Sequence, residues 1–284
     1  MVGWAPDGQT RLAAVIGDPI THSLSPVLHN AAFRAADLNW MFGAFTVSAG
    51  NAGNALEAMR TLGIAGLSVT MPHKTEAALH CDELSADASQ LRSVNCVSRT
   101  TDGRLLGDST DGPGFVASLR DHNVEVAGQS VVLLGAGGAA RAVALALARS
   151  GASVLVAARN EQAAQVVAAL HAGIDTTAWD QRTPAALAAN IIVQCTPVGM
   201  LGDPNLVFDA SGLTPKHCVV DLVYTPLDTP LLRVADAAGA VTIDGLGMLI
   251  HQAALAFTAW TGLEPSISAM RAAALQELSS RTSS

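Results

Sequence analysis

The sequence predicts an α/β protein of two domains, each built on a mainly parallel sheet. Three observations lead there. Short apolar runs rich in Val, Ile and Leu alternate with stretches at helical spacing along most of the chain, and strands separated by helices form parallel βαβ units. One strand–turn–helix passage, "SVVLLGAGGAARAVALALARSG", carries its glycines where the chain must reverse sharply. The third is size: 284 residues, 50% hydrophobic and only 14% charged, suffice for one or two sizeable cores.

The elements follow in order. Leu12–Ile16 reads as a strand ending at Gly17, and Pro26–Ala36 as a helix. Met41–Val47 and Ala65–Val69 are further strands, with a helix over Asn51–Thr61 between them. Val94–Arg99 and Leu105–Leu106, separated by "TTDG", form a hairpin, and "GDSTDG" follows as a loop. A second series starts near Asp111. It contains the strand Val131–Leu134, a glycine turn, a helix and the strand ending "VLVAAR", then the strands within "NIIVQCTPVGM" and "HCVVDLVYTP". "AVTIDGLGML" gives a last strand running into a helix over Met248–Thr261, and Ile267–Leu278 is a closing helix with no strand after it. The expected division is residues 1–111 with 245–284 as one domain and 112–244 as the other.

Composition excludes several functions. A formal charge of −8 without a basic block argues against a nucleic-acid surface. Apolar runs are broken by Gly, Arg or Asp before the roughly 20 residues of a membrane span. Residues 1–12 include Pro6, Asp7 and Arg11 and lack the pattern of a secretory leader. Cys81, Cys96, Cys195 and Cys218 are scattered without metal-ligand spacing, as in buried thiols of a cytoplasmic protein. No metal site is expected.

Four places carry chemistry. In "DPITHSLSPVLHNAAF", Ser25 before Pro26 reads as a helix N-cap. Ser23, two residues earlier, shares its direction if the segment is extended. Two hydroxyls beside a helix N-terminus suit an anion such as a carboxylate; simple capping is the plainer alternative. "GAGGAAR" sets Gly135, Gly137 and Ala140 in G-x-G-x-x-A spacing between strand and helix, the context for binding a dinucleotide pyrophosphate. A tight turn without a ligand is its alternative. The next strand ends at "VAARNEQ", with Arg159 and no acid at Ala157 or Ala158, which favours NADP over NAD, although Glu161 opposes this and a solvent-facing arginine is the plain reading. Finally, "GLSVTMPHKTEA" puts Thr70 and Lys74 beyond the carboxyl end of a strand, where open α/β sheets gather ligands. A protonated lysine there, oriented by Asp111, can give a proton to an alkoxide formed by hydride transfer. As a surface residue it would merely be solvated.

The segments "IGDPITHSLSPVLHNAAF", "SVTMPHK", "SVNC", "GDSTDG", "GAGGAAR", "QCTPVGM", "DLVYTP" and "GLGMLIHQAA", in that order and over nearly the whole length, make the chain resemble the shikimate dehydrogenases. The resemblance implies an α/β substrate domain beside a Rossmann-like NADP-binding domain. It implies reversible NADPH-dependent reduction of 3-dehydroshikimate to shikimate, in aromatic amino acid biosynthesis. By position, Ser23 and Ser25 would hold the substrate carboxylate, Thr70, Asn95, Asp111 and Gln252 the ring hydroxyls, and Lys74 would be the acid/base. Tyr224 would line the substrate side. Gly135, Ala136, Gly137, Gly138 and Ala139 would cradle the pyrophosphate, Arg159 would clamp the 2′-phosphate, and Thr196, Leu222 and Gly245 would border the cofactor. The partner is then a small molecule, with no nucleic acid and no membrane, acted on by a monomer or homodimer in the cytoplasm.

Four positions depart from the family pattern: Ser68 and Ser109 where Asn is common, Cys96 where Thr is common, and Ala163 where a second basic residue often stands. The first three bear on substrate geometry and the fourth on the strictness of NADP use. A quinate-oxidising sister enzyme that accepts NAD, or a ligand sensor without turnover, are the alternatives.

Overall fold

A computed structural model describes residues 5–282 of the chain. The contacts divide it into two compact units, one running up to Thr110 and resuming at Gln252, the other spanning Asp111–His251. The expected return at residue 245 is thus displaced by two helical turns, because the helix that begins at Gly245 is continuous and its first turns carry buried residues of the second unit, Leu246 and Met248 among them.

The first unit contains β1 (Arg11–Gly17), α1 (Ser25–Ala35), β2 (Trp40–Thr46), α2 (Ala52–Leu62), β3 (Gly66–Val69), α3 (Lys74–His80), β4 (Glu83–Leu84), α4 (Ala86–Leu91), β5 (Cys96–Arg99) and β6 (Leu105–Asp108). Its sheet has the order β2-β1-β3-β5-β6-β4. β1 runs parallel to β2 and β3, β5 is antiparallel to both its neighbours, and β4 is parallel to β6. β1 is central and covered on both faces, so Ala13, Ala14, Val15 and Ile16 are all buried and the strand reads as an unbroken apolar run. One face packs Ile16, Leu67 and Val97 against Leu56 and Met59 of α2. Each such side chain, fully buried, contributes about 1.5–3 kcal/mol. An aromatic cluster joins Phe33, Phe42, Phe257 and Trp260 around His29, whose ring stacks on Phe42 at 4.3 Å. Burial without a hydrogen-bonding partner pushes the His29 imidazole down to about 3, so it stays neutral. Gly66 has no alternative at its position: a Cβ there would lie 2.3 Å from the Trp260 ring.

The second unit contains α5 (Asp111–Asp121), β7 (Ser130–Leu134), α6 (Gly138–Arg149), β8 (Ser153–Ala157), α7 (Glu161–Ala168), β9 (Ile174–Thr177), α8 (Arg182–Ala188), β10 (Ile191–Gln194), β11 (Cys218–Asp221), α9 (Pro230–Ala237) and β12 (Val241–Ile243). Its six strands are parallel in the order β12-β11-β10-β7-β8-β9. Counted from β7, that is the Rossmann order 3-2-1-4-5-6 reversed. Val131, Leu133, Val193 and Val220 on one face and Val132, Leu134, Ile192 and Val219 on the other enter two apolar layers. α10 (Gly245–Thr261) starts here and ends in the first unit, where α11 (Ile267–Thr282) packs on α1.

Three sequence expectations are corrected. "GDSTDG" is not a free loop, since Asp108 ends β6 and Asp111 opens α5. Tyr224 lies three residues beyond β11, in the turn before α9, because the Asp221 side chain ends the strand by accepting the Val223 N–H. Cys96 and Cys218 are buried, whereas Cys81 and Cys195 keep some surface; all four are free thiols. Desolvation raises all four, Cys81 and Cys218 to about 11. Residues 1–4, on which part of the leaderless reading rests, lie outside the described residues.

Candidate active site

In the first unit the strand order reverses at β1, whose neighbours β2 and β3 are reached in opposite directions. The carboxyl ends of β1 and β3 therefore border the crevice where such sheets take ligands. The segment Asp18–Leu24 leaves β1 there, and Thr70–His73 leaves β3. The two are laced together: Thr70 N donates to Ile16 O at 3.0 Å and Asp18 N to Met71 O at 3.1 Å. Gly17 makes the fit possible, since a Cβ on it would sit 2.5 Å from Thr70 Cγ2.

The helix start differs from the capping expected of Ser25. Ser25 is the first residue of α1, not its cap, and the preceding Leu24 is helical at φ −88°, ψ −9°, so the segment turns and is not extended. It is Ser23 whose hydroxyl meets the helix, accepting the Ser25 N–H at 3.2 Å. Ser25 is buried, and its hydroxyl makes no hydrogen bond among the described residues. Arg281, held by Glu277 at 2.8 Å, donates to His22 O at 2.7 Å and so steadies this loop from α11.

Lys74 opens α3 and is half-buried; its carbonyl accepts from Val94 N. The turn before it is anchored by His73, fully buried, whose Nε2 donates to Val47 O at 2.6 Å. Sequence reasoning overlooked this histidine, although its place beside Lys74 was a signal. Asn95 comes to the same sheet end through the reversal of β5. Ser68 pairs with Cys96, so Asn95 falls opposite Val69 and its carbonyl accepts the Val69 N–H at 2.8 Å. The Asn95 amide then reaches Thr110 and, at 3.4 Å, Gln252 Oε1. Thr70, Lys74, Asn95 and Gln252 thus belong to one unit, while Asp111 and Tyr224 belong to the other.

The second unit offers a different surface. Gly135 follows β7 at φ +118°, donates to Ala157 O, and lies against Cys195 so that a Cβ would be 3.3 Å from that backbone. Only glycine suits both demands. Gly137 and Gly138 are exposed, and a Cβ on either would meet nothing within 4 Å. Packing within the protein does not require these two glycines; a ligand laid against bare backbone would. Behind them α6 runs 12 residues with no side-chain cap and no acid in its first turn. Its open N–H groups and positive dipole end fit a pyrophosphate. Buried Ala140 closes helix against strand.

The neighbouring turns are built by buried polar residues that end their strands. Gln194 accepts from Thr196 N at 2.5 Å and donates to Thr196 O and Val198 O, holding the Thr196 turn after β10. Asp221 accepts from Val223 N and from Thr229 Oγ1 at 2.8 Å, and Thr229 in turn caps α9. Burial pushes the Asp221 carboxyl up to about 6 against these two hydrogen bonds. Gly245 presses on Leu222, where a Cβ would be 2.2 Å from Leu222 O. Arg159 is exposed two residues past β8, followed by Asn160, which caps α7 by accepting Ala163 N at 3.0 Å. A guanidinium beside a capped helix start, with no carboxylate ending β8, suits a ribose 2′-phosphate. Among the described residues no group of three or more His, Cys, Asp or Glu could hold a metal, and no helix is long and apolar enough to cross a membrane.

Known proteins place the chain. The family model for the shikimate dehydrogenase substrate binding domain matches residues 15–97, and that for the shikimate 5′-dehydrogenase C-terminal domain matches 245–275. A model described as a coenzyme F420-dependent NADP oxidoreductase matches 130–223, the stretch of the glycine turn. The shikimate dehydrogenase (NADP(+)) of Symbiobacterium thermophilum is 41% identical over 95% of this chain and 96% of its own. The structure of the Thermus thermophilus enzyme with NADP(H) and shikimate is 36% identical, with a TM-score of 0.86 over 94% of this chain and 99% of that one. Quinate dehydrogenase from Corynebacterium glutamicum, solved with NAD, is 34% identical with a TM-score of 0.87 over 94% and 99% of the two chains. Such identity across almost the entire length, on an α/β fold with a Rossmann-like unit, means that the chain belongs to the shikimate dehydrogenase family.

Proposed function

We propose that this protein is an NADP-dependent shikimate dehydrogenase, reducing 3-dehydroshikimate to shikimate reversibly. The observation that carries the reading is the pairing of two sites in one chain. One is a bare-glycine helix N-terminus with Arg159 beyond the next strand. The other is a polar sheet end with Thr70, Lys74, Asn95 and Gln252. Supporting it are the relatives called shikimate dehydrogenase (NADP(+)) at 41% identity.

Bound NADPH would supply the hydride. Gly135 to Ala139 hold the pyrophosphate against the α6 N-terminus, Arg159 grips the 2′-phosphate, and Thr196, Leu222 and Gly245 border the rest of the cofactor. In the substrate unit, Ser25 donates its hydroxyl to the substrate carboxylate, assisted by Ser23. Thr70, Asn95 and Gln252 bind ring hydroxyls, Tyr224 lines the substrate side, and Lys74 gives a proton to the oxygen that becomes the alkoxide, oriented by Asp111. A polyhydroxy acid needs many fixed partners, because each buried polar group left unmatched costs about 1–3 kcal/mol. On this reading the unit that runs up to Thr110 and resumes at Gln252 serves the substrate and the unit Asp111–His251 serves the dinucleotide, in a cytoplasmic monomer or homodimer.

The likeness to a quinate dehydrogenase solved with NAD supports one rival. Steady-state assays of the nicotinamide absorbance decide between them. 3-Dehydroshikimate with NADPH should turn over far faster than quinate with NAD; the reverse order, or no turnover with either pair, refutes the assignment.

A further inference from the structure

Asn95 and Thr110 are both buried, at 5% and 3% exposure, and bonded to each other twice. Thr110 N donates to Asn95 Oδ1 at 2.7 Å, and Asn95 Nδ2 donates to Thr110 Oγ1 at 2.9 Å. A main-chain N–H can only donate, so the amide oxygen must face it. The orientation of a side-chain amide is often ambiguous; here Thr110 settles it. Main-chain bonds fix the frame, with Val69 N donating to Asn95 O and Asn95 N to Asp108 O. With Oδ1 held, Nδ2 is turned toward Gln252 Oε1, at a distance of 3.4 Å that is long for a hydrogen bond. A donor and an acceptor thus stand side by side, and one hydroxyl group can engage both, accepting from the first and donating to the second.

We propose that Thr110 is a positioning residue that selects a hydroxyl-bearing substrate. Its N–H and hydroxyl lock the Asn95 amide so that a ring hydroxyl accepts from Asn95 Nδ2 and donates to Gln252 Oε1. The inference deepens the substrate reading above and rests on it. Without Oγ1 the amide loses one of its two hydrogen bonds to Thr110, and Nδ2 loses a buried acceptor.

Steady-state kinetics with shikimate and NADP test this. Thr110→Val keeps the shape and the main-chain N–H but removes the acceptor; it should raise the shikimate KM about tenfold while the NADP KM stays within about twofold. Thr110→Ser, which restores the hydroxyl, should return the shikimate KM to within about threefold of wild type. Thr110→Ala serves in the same way if the valine variant does not fold. Asn95→Ala separates the two levels of the argument. If it raises the shikimate KM while Thr110→Val does not, the role of Thr110 is overturned and the substrate reading stands. If Asn95→Ala leaves that KM unchanged, both fall. A serine variant as impaired as the valine one also overturns the proposal.

Discussion

Lys74, the proton donor proposed above, takes its position from its setting. It opens α3 directly after the buried His73, whose bond to Val47 O fixes the backbone at that turn. Lys74→Ala should lower kcat by about a hundredfold or more and leave shikimate affinity within about tenfold, because general acid catalysis is typically worth 10²–10⁴. Stopped-flow turnover and equilibrium titration check the two halves separately; a variant retaining a tenth of its kcat excludes Lys74 as the proton donor. Asp221 gives a prediction of another kind. Its folded value near 6 exceeds the ordinary 3.8, so the native state holds its proton more tightly than the unfolded chain does. The associated stability is complete below about pH 3.8 and is lost as the pH rises through about 6, amounting to about 3 kcal/mol. Asp221→Asn cannot ionise. Denaturant titrations at pH 4 and pH 7 should show the wild type losing about 2–3 kcal/mol relative to the variant over that interval. A constant difference would exclude ionisation of Asp221 from the stability profile.

At the scale of the element, the start of α1 places the helix-start hydrogen bond on Ser23 and leaves Ser25 for the proposed carboxylate contact. The "SLSP" pattern suggests that Ser25 caps, but the helix opens one residue earlier and Ser23 takes the N–H. Ser23→Ala should therefore lower Tm, through loss of about 0.5–2 kcal/mol of capping energy. Ser25→Ala should leave Tm nearly unchanged and raise the shikimate KM roughly tenfold or more, the value of a hydrogen bond to a charged group. Differential scanning calorimetry and substrate kinetics on both variants check this; a larger Tm loss in Ser25→Ala would restore it as the cap. β5 makes a similar point. "SVNC" and "TTDG" announce a hairpin, and the register shows its effect: running β5 against β3 brings Asn95 to the same sheet end as Thr70.

For the whole molecule, the parallel order of the second sheet puts the turns after β7 and β10 side by side, where the strand direction of travel reverses. Cofactor binding there stabilises the native chain by mass action, by about 2.7 kcal/mol at a hundred times Kd. One guanidinium with Glu161 close by and Ala163 in place of a second cation gives a real but incomplete preference. NADP should raise Tm more than equal NAD does, by the equivalent of about tenfold in affinity. Arg159→Ala should remove the difference. Equal shifts in the wild type, or an undiminished NADP advantage in the variant, would refute Arg159 as the clamp.

The sequence by itself determined the alternation of strands and helices, the glycine turn before α6, the absence of an acid after β8 and the family, because these depend on local periodicity and on motifs of a few residues. It also named Thr70, Lys74 and Asn95 without showing how they meet. Tertiary structure decided the reversal of β5, the continuity of α10 across residue 245 and the pair of hydrogen bonds between Thr110 and Asn95, which joins residues 15 positions apart. It also decided that Gly17, Gly66 and Gly245 are needed for close packing, whereas Gly137 and Gly138 face open space. The physical reason is that spacing along a chain encodes which face a residue shares, while a side-chain amide, a glycine contact or a cap depends on what another segment brings within about 3 Å.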